Sequence, residues 1–457
     1  MMRYRLAKLW MAALLAAIPS VALAAEWIVT PSDGPTLSAV LKAAAPGDRI
    51  RLKPGRHDGP LVIDKPVTLD GEDGASIVGN GKGSVVTIEA EKVAVRGIAV
   101  TGSGMNLSTL DSGIFAARTA TGAIIENNTL TGNLFGIYLH GAKDSLARKN
   151  VIVGLKDGRM SEFGSGISVW NAPGGKVIDN DISFGRDGIA TMASKKNVFS
   201  GNRIRDLRFA IHYMYTNDSV ISGNVSTGNS VGYAIMFSNR LKIVHNTSDG
   251  DRDHGLLLNS ANSSTISGNI IRGRLQPTVR WTMAGIQDSD HGVKDDAETT
   301  GAIEGGMRLG PEKCVFIYNA NRNKLRGNEF RGCAIGIHFT AGSEGNTMTG
   351  NAFIDNRNQV KYVGTRYLDW SVDGRGNYWS DNPAFDLDGD GIGDNAYRPN
   401  DLMDKVLWTS PQAKVLTSSP AVQIIRWAQV QFPALLPGGV IDSHPLMAPT
   451  RQKDGLQ

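Results

Sequence analysis

Long apolar runs are scarce in this chain of 457 residues. The clearest, Leu9 to Ile18, is shorter than the roughly 20 residues needed to cross a bilayer. No other segment is long enough to span, so a mature protein soluble outside the cytoplasm is expected. An excess of one charge is also missing. Lys and Arg number 48 against 44 Asp and Glu, a formal charge of +4, and three of those positives are Arg3, Arg5 and Lys8 at the N-terminus. What is left is nearly neutral, which argues against a nucleic-acid-binding surface. Helix-period apolar patterning is absent from the body of the chain, as is a Leu-dominated consensus. Those two absences exclude a leucine-rich repeat. Cysteine is limited to Cys314 and Cys333. Both precede related phrases, Phe316-Ile317-Tyr318 and Gly336-Ile337-His338, which suits neighbouring repeats. A disulfide in an oxidising compartment and a pair of buried thiols both stay open.

What the chain does have is a repeated phrase, an apolar or β-branched residue, then a small one, then Asn. Its clear copies end at Asn128, Asn150, Asn180, Asn202, Asn224, Asn246, Asn269, Asn328 and Asn351, and the intervals from Asn180 through Asn246 are each 22 residues. Each repeat also carries a strand-like phrase of alternating polarity, such as Gly136-Ile137-Tyr138-Leu139, Gly166-Ile167-Ser168-Val169 and Ala210-Ile211-His212-Tyr213. One such unit cannot bury its own apolar side chains. Stacked units can, and they place Ile137, Ile167, Ile189, Ile211 and Ile235 in one expected inner column, about 4.8 Å per rung. An Asn at the same turn of every coil can satisfy turn backbone above and below it. The fold class is therefore all-β, a parallel β-helix solenoid.

The ends differ from the body. Arg3, Arg5 and Lys8, the apolar run and Ala22-Leu23-Ala24 make residues 1–24 an expected cleavable signal peptide. Arg3 and Arg5 are not adjacent, which favours export of the unfolded chain over twin-Arg export. Residues 25–92 read as an N-terminal cap with first coils, including a short helix from Thr36 to Ala45. Coils are expected over 93–376. They are broken by an insertion at 274–313 that holds Trp281, Met283, Asp288, Asp290, His291, Asp295, Asp296 and Met307, since long loops on rigid scaffolds tend to carry function. In the remainder, 377–457, Ser419-Pro420 starts a helix. Ala421, Ile424, Ile425, Ala428 and Phe432 form one apolar stripe, widened by Val422 and Trp427. The stripe either caps the last coil or docks a partner through Ile424, Ile425, Trp427 and Phe432.

With Ile pointing in, its neighbours point out. The outward positions then place Met192 and Met214 on adjacent rungs, His212 and Met236 on adjacent rungs, and His212 with Met214 on one face of one strand. Met192, His212, Met214 and Met236 are the expected copper ligands. Thioethers select Cu(I), neutral imidazole suits copper, and neither is lost to disulfide formation outside the cytoplasm. The competing reading is that these methionines pack beneath the insertion or against a partner. A second cluster, Asp386, Asp388, Asp390 and Asp394 with Gly391 at position 6, matches a calcium loop, although position 12 is Tyr397. Asp401 or Asp404 would then have to supply the missing ligand. Catalytic signals are weaker. Asp251, Asp253 and His254, or Arg186 and Asp187, offer acid/base groups for a polysaccharide lyase or C5-epimerase acting on uronate polymers. The outward columns nevertheless carry Met, Trp, Tyr and Ser rather than repeated charges.

Several ordered phrases resemble the NosD family of periplasmic proteins required to mature nitrous oxide reductase. They are Arg208-Phe209-Ala210-Ile211-His212-Tyr213-Met214-Tyr215-Thr216-Asn217, Gly228 to Ala234, Asp251-Arg252-Asp253-His254-Gly255, and Gly376-Asn377-Tyr378-Trp379-Ser380-Asp381 through the acidic loop to Tyr397-Arg398-Pro399. The resemblance covers nearly the whole mature chain. It implies right-handed coils, a periplasmic location and an accessory role without turnover. It also implies partners: an ABC-type permease and ATPase, a copper chaperone, and the reductase whose copper–sulfur cluster is built. Membrane contact would come only through those partners. The resemblance does not name copper ligands; those rest on the rung geometry.

Overall fold

The computed structural model describes residues 24–277, 307–364, 366–400 and 403–450, apart from 405, 407–411, 413–418 and 433–437. Residues 1–23, most of the expected signal peptide, lie outside that set. So do Trp281, Met283, Asp288, Asp290, His291, Asp295, Asp296 and Asp401.

The 22-residue period becomes structure through one repeated pairing. A coil contributes one strand of six residues, such as Phe209–Met214, and two of three, such as Val220–Ser222 and Val225–Thr227. Equivalent strands of successive coils pair in parallel, giving sheets of 13, 12 and 13 strands around one core. Ile137, Ile167, Ile189 and Ile211 pair in a single buried column. Ile235 does not join it. Ile211 pairs with Tyr233, and Ile235 pairs with Tyr213. Twenty-two residues beyond Ile211 is Tyr233, so the phrase Ala234-Ile235 comes two residues late. An even displacement keeps each side chain on its face but moves it one position along the strand.

The small residue before each Ile has a steric cause. A Cβ on Gly136 would stand 2.4 Å from the Gly166 carbonyl oxygen and 2.7 Å from Ile152 Cγ2. Gly188 is as tight, at 2.4 Å from Ile204 Cγ2 and 2.6 Å from the Ala210 carbonyl oxygen. The close approach of the next coil therefore leaves room only for a small residue at this position. The residue before it, Phe209 or Val231, packs with Ala234 in a cluster separate from the main core.

The repeated asparagines form a buried ladder from Asn128 to Asn377. Asn224 is typical. Its Oδ1 accepts from the Asn202 main-chain N–H at 3.0 Å and from Asn202 Nδ2 at 2.8 Å, while its own Nδ2 donates to the Phe199 carbonyl at 2.9 Å. Each Asn thus satisfies turn backbone that water cannot reach. The ladder stops at Asp442, whose Oδ2 accepts from Asn377 N at 2.7 Å and from Trp379 Nε1 at 2.8 Å.

The interruption after Asn269 is a hairpin at its base. Arg274–Pro277 pairs antiparallel with Met307–Gly310, and the solenoid resumes with the strand Lys313–Tyr318. Lys313, expected in the insertion, is therefore a coil residue. Cys314 and Cys333 form a disulfide between neighbouring coils, with Cα atoms 5.7 Å apart.

At the N-terminal end, the helix Leu37–Ala43 buries Leu37, Val40 and Leu41 against the first coils, and the Thr36 hydroxyl accepts the Ala39 N–H at its start. At the other end the helix is Pro420–Gln431, capped by Ser419. Its apolar stripe does not close the last coil, because Ile424 is 65% and Trp427 63% exposed, with Ile425 and Phe432 also exposed. Closure comes from stacked rings instead. Phe353 and Trp379 lie 4.2 Å apart, Trp370 stands 6.1 Å from Trp379, and Tyr367–Asp369 pairs with Gly439–Ile441.

Replacing Asn224 with Ala strands the Asn202 N–H and the Phe199 carbonyl inside the turn. At about 1–3 kcal/mol for each stranded group, the variant should lose on the order of 3 kcal/mol, read as a lowered urea midpoint. An unchanged midpoint would contradict the ladder's role.

Candidate metal centre

Register fixes the outward side chains of the long sheet. Ala190, His212, Ala234 and Leu257 occupy one file, and Trp170, Met192, Met214, Met236 and Asn259 the next. Met236 was expected on the rung next to His212 in the first file. The two-residue displacement moves it into the second, opposite Met214. The correction leaves three methionines on consecutive rungs, with backbones about 4.8 Å apart, and His212 two residues from Met214 on the same face. None of the three points into the solenoid, since Met192 is 44% exposed and Met214 and Met236 are half-buried. Met236 packs against the cluster of Phe209, Val231 and Ala234, and the Phe209 ring lies edge-on to His212 at 4.9 Å. His212 and Met236 thus share one apolar support. The small neighbours Ala190 and Ala234 flank the imidazole along its own file.

His212 Nδ1 lies 3.3 Å from Asp187 Oδ2. Arg208 grips the same carboxylate at two points, Nε to Oδ1 at 2.9 Å and Nη2 to Oδ2 at 2.8 Å. Burial alone would raise the Asp187 carboxyl; hydrogen bonds from His212 and Arg208 outweigh it and hold it down at about 2. An anionic acceptor at Nδ1 favours the tautomer with its proton there and the lone pair on Nε2. His212 Nε2 is buried and has no hydrogen-bond partner.

Tyr215 and Phe237 follow Met214 and Met236 directly. Their rings stack at 5.0 Å, and both backbones are left-handed at φ 48°. At the same turn position other coils use Asn171, Ala193, Ser260 and Asn319, all with positive φ. Bulky side chains are unfavourable in that conformation, and these two are exposed. The 22-residue spacing between Tyr215 and Phe237 was the available sequence signal.

The donor set fits a soft cation. Three thioethers and one imidazole nitrogen without a partner suit Cu(I) and do not suit hard ions. The acidic loop is a different environment. Oxygens of Asp386, Asp388 and Asp390 lie within 4.8 Å of one another. Asp394 is not in that group, and its Oδ2 accepts the Leu387 N–H at 2.9 Å. Loop amides also bind Asp386, from Gly389 at 2.6 Å and Gly391 at 2.8 Å, and the bond from Gly391 leads in holding its carboxyl below the usual range.

The family described as "Periplasmic copper-binding protein (NosD)" matches residues 155–384. A Pseudomonas aeruginosa protein named "Probable ABC transporter binding protein NosD" is 39% identical over 429 residues, covering 94% of this chain and 95% of that protein. A Stutzerimonas stutzeri protein of the same name is 39% identical over 400 residues, covering 88% of this chain and 87% of its own. Among solved structures, the Dettilon tailspike protein is similar at a TM-score of 0.53 with 16% identity, covering 74% of this chain and 68% of its own. That likeness concerns the fold alone.

Of the residues offered for polysaccharide chemistry, Asp251 and Asp187 are each held by other groups. Asp251 is wholly buried inside the solenoid, where it accepts from Ser226 Oγ at 2.7 Å, Ser248 Oγ at 2.6 Å and the Asn229 N–H at 2.8 Å. It takes the Asn229 N–H as Asn229 Oδ1 takes the Leu207 N–H one coil earlier, at a turn separate from the long ladder. His254 faces outward beside Phe316, its ring 5.4 Å away. Asp187 is committed to Arg208 and His212. Burial raises the Asp251 carboxyl to about 6, against hydrogen bonds that lower it. A folded-state value above the unfolded 3.8 favours the protonated native state. That contribution is complete below pH 4 and disappears as the pH rises through 6. Asp251→Asn keeps the shape without the charge. It should abolish this slope and be more stable than the parent above pH 6 by up to about 3 kcal/mol. Parallel stability–pH curves for the two proteins would refute the assignment.

Proposed function

Because this chain belongs to the NosD family, we propose that it is a periplasmic accessory protein for maturing the copper–sulfur cluster of nitrous oxide reductase. It acts with an ABC-type ATPase and permease and with a copper chaperone, and performs no turnover of its own. Its own contribution is a Cu(I) site made of Met192, His212, Met214 and Met236. The observation that carries this reading is the file of three methionines beside a histidine whose Nε2 has no other partner.

The chemistry suits the setting. Both cysteines are joined to each other, so neither offers a thiolate. Thioethers remain ligands where thiols oxidise, and they bind Cu(I) without a proton to lose. Partial exposure of Met192 and Met214 favours taking up and giving away a cation rather than sealing it in. Among the described residues no helix is long and apolar enough to cross a membrane. The exposed residues Ile424, Ile425, Trp427 and Phe432 offer an apolar face for docking the permease. Calcium at the acidic loop belongs to the same proposal as a staple of the C-terminal segment.

Anaerobic titration of the purified chain with Cu(I) tests the site. Replacing the four ligands together (Met192→Leu, His212→Ala, Met214→Leu, Met236→Leu) should abolish tight binding without altering thermal stability much, since none lies in the main core. Unchanged stoichiometry and affinity would remove the assignment. Trp427→Ser combined with Ile424→Ser should weaken co-purification with the permease at least tenfold and leave Cu(I) affinity as it was. Full retention of the complex would move the docking face elsewhere.

A further inference from the structure

We infer that Asp187 is the positioning residue of the soft-metal site, setting which nitrogen of His212 meets the cation. The inference rests on the copper reading above and adds to it a residue that does not itself touch metal.

Three observations converge on it. First, Asp187 opens the strand Asp187–Met192, one rung from His212, and its carboxylate lies within hydrogen-bonding reach of the imidazole. Second, Arg208 binds both carboxylate oxygens, at 2.9 and 2.8 Å, which fixes the plane of the carboxylate before any imidazole arrives. Oδ2 is then shared with His212 Nδ1 at 3.3 Å. Third, the far nitrogen, Nε2, is buried without a partner, while the Phe209 edge at 4.9 Å limits how the ring can rotate. A histidine tied through Nδ1–H has one free lone pair, on Nε2, and His212 shares its strand with Met214.

An ion pair serving the fold alone would be the simpler account. The register argues against it. The partners of Asp187 along its file are Phe209, Val231, His254 and Lys313, so no acidic residue recurs at this place on those coils. The carboxylate occurs on the rung beside the one that carries His212. Hydrogen-bonded carboxylates behind metal-binding histidines typically change affinity 10–100-fold.

The test uses the full chain and Cu(I) under argon, with bicinchoninate as the competing chelator. Asp187→Asn should weaken Cu(I) binding 10–100-fold, with the thermal midpoint recorded alongside. In the metal-free parent protein, nitrogen-15 NMR should show His212 protonated at Nδ1; in the variant that preference should be lost. If Asp187→Asn binds as the parent does while His212→Ala loses binding, the inference is overturned and the copper reading survives. If neither His212→Ala nor the triple methionine variant weakens binding, the copper reading fails and takes this inference with it. Should Asp187→Asn not fold, the tautomer in the parent protein still decides, because a proton on Nε2 contradicts the role.

Discussion

The structure depends on a side-chain amide hydrogen bonding to its equivalent one coil away. Each buried turn leaves a main-chain N–H and a carbonyl that water cannot reach, and the asparagine ladder satisfies both while linking its members to each other. Apolar columns alone would tolerate sliding, since Ile, Val, Leu and Tyr all fit the interior. The ladder does not, because displacement by one residue would break several bonds on every rung at once. Register is thereby fixed over the whole length of the solenoid.

A fixed register explains how side chains from separate coils come to stand as neighbours on the outer face. Met192, Met214 and Met236 come from separate coils, yet their spacing is set by backbone pairing and not by loops. The support is equally fixed. Phe209 and Ala234 pack under Met236 and beside His212, and Arg208 holds the carboxylate behind the imidazole. The exposed stack of Tyr215 and Phe237 borders the methionines at a turn position where neighbouring coils place small or polar residues. Here the chain accepts an unfavourable backbone conformation to put flat apolar rings beside soft donors.

Much of this was legible in the sequence because a solenoid turns spacing into neighbourhood. Asn180, Asn202 and Asn224 gave the rung, and Met192 and Met214, one period apart, followed from it. Met236 was misplaced because the phrase Ala234-Ile235 looked like the small-then-Ile motif; the plain count from Met214 would have found it. Asp251 read as an acid/base group because a carboxylate in a charged stretch looks solvated. Only the structure shows it buried inside the wall, bound by Ser226, Ser248 and the Asn229 N–H. Asp187 was noticed as an acid/base group; its contact with His212 on the next coil, three residues along the strand from its own register partner Phe209, is not contained in a two-residue alternation. The helical stripe of Ile424 and Phe432 was correctly amphipathic, but periodicity cannot tell a face turned to the molecule's own end from one left open.

The end of the ladder carries a different lesson. An amide that accepts from one neighbour also donates, so a row of asparagines can always extend to one more copy. Asp442 can only accept. Placed after Asn377 and joined by Trp379, it takes the last donors and offers none onward. The carboxylate thus works as a stop for growth along the axis: a stack that is open-ended in principle becomes a finite particle, and head-to-tail fibre formation between molecules is discouraged by one atom's change of hydrogen-bonding sense.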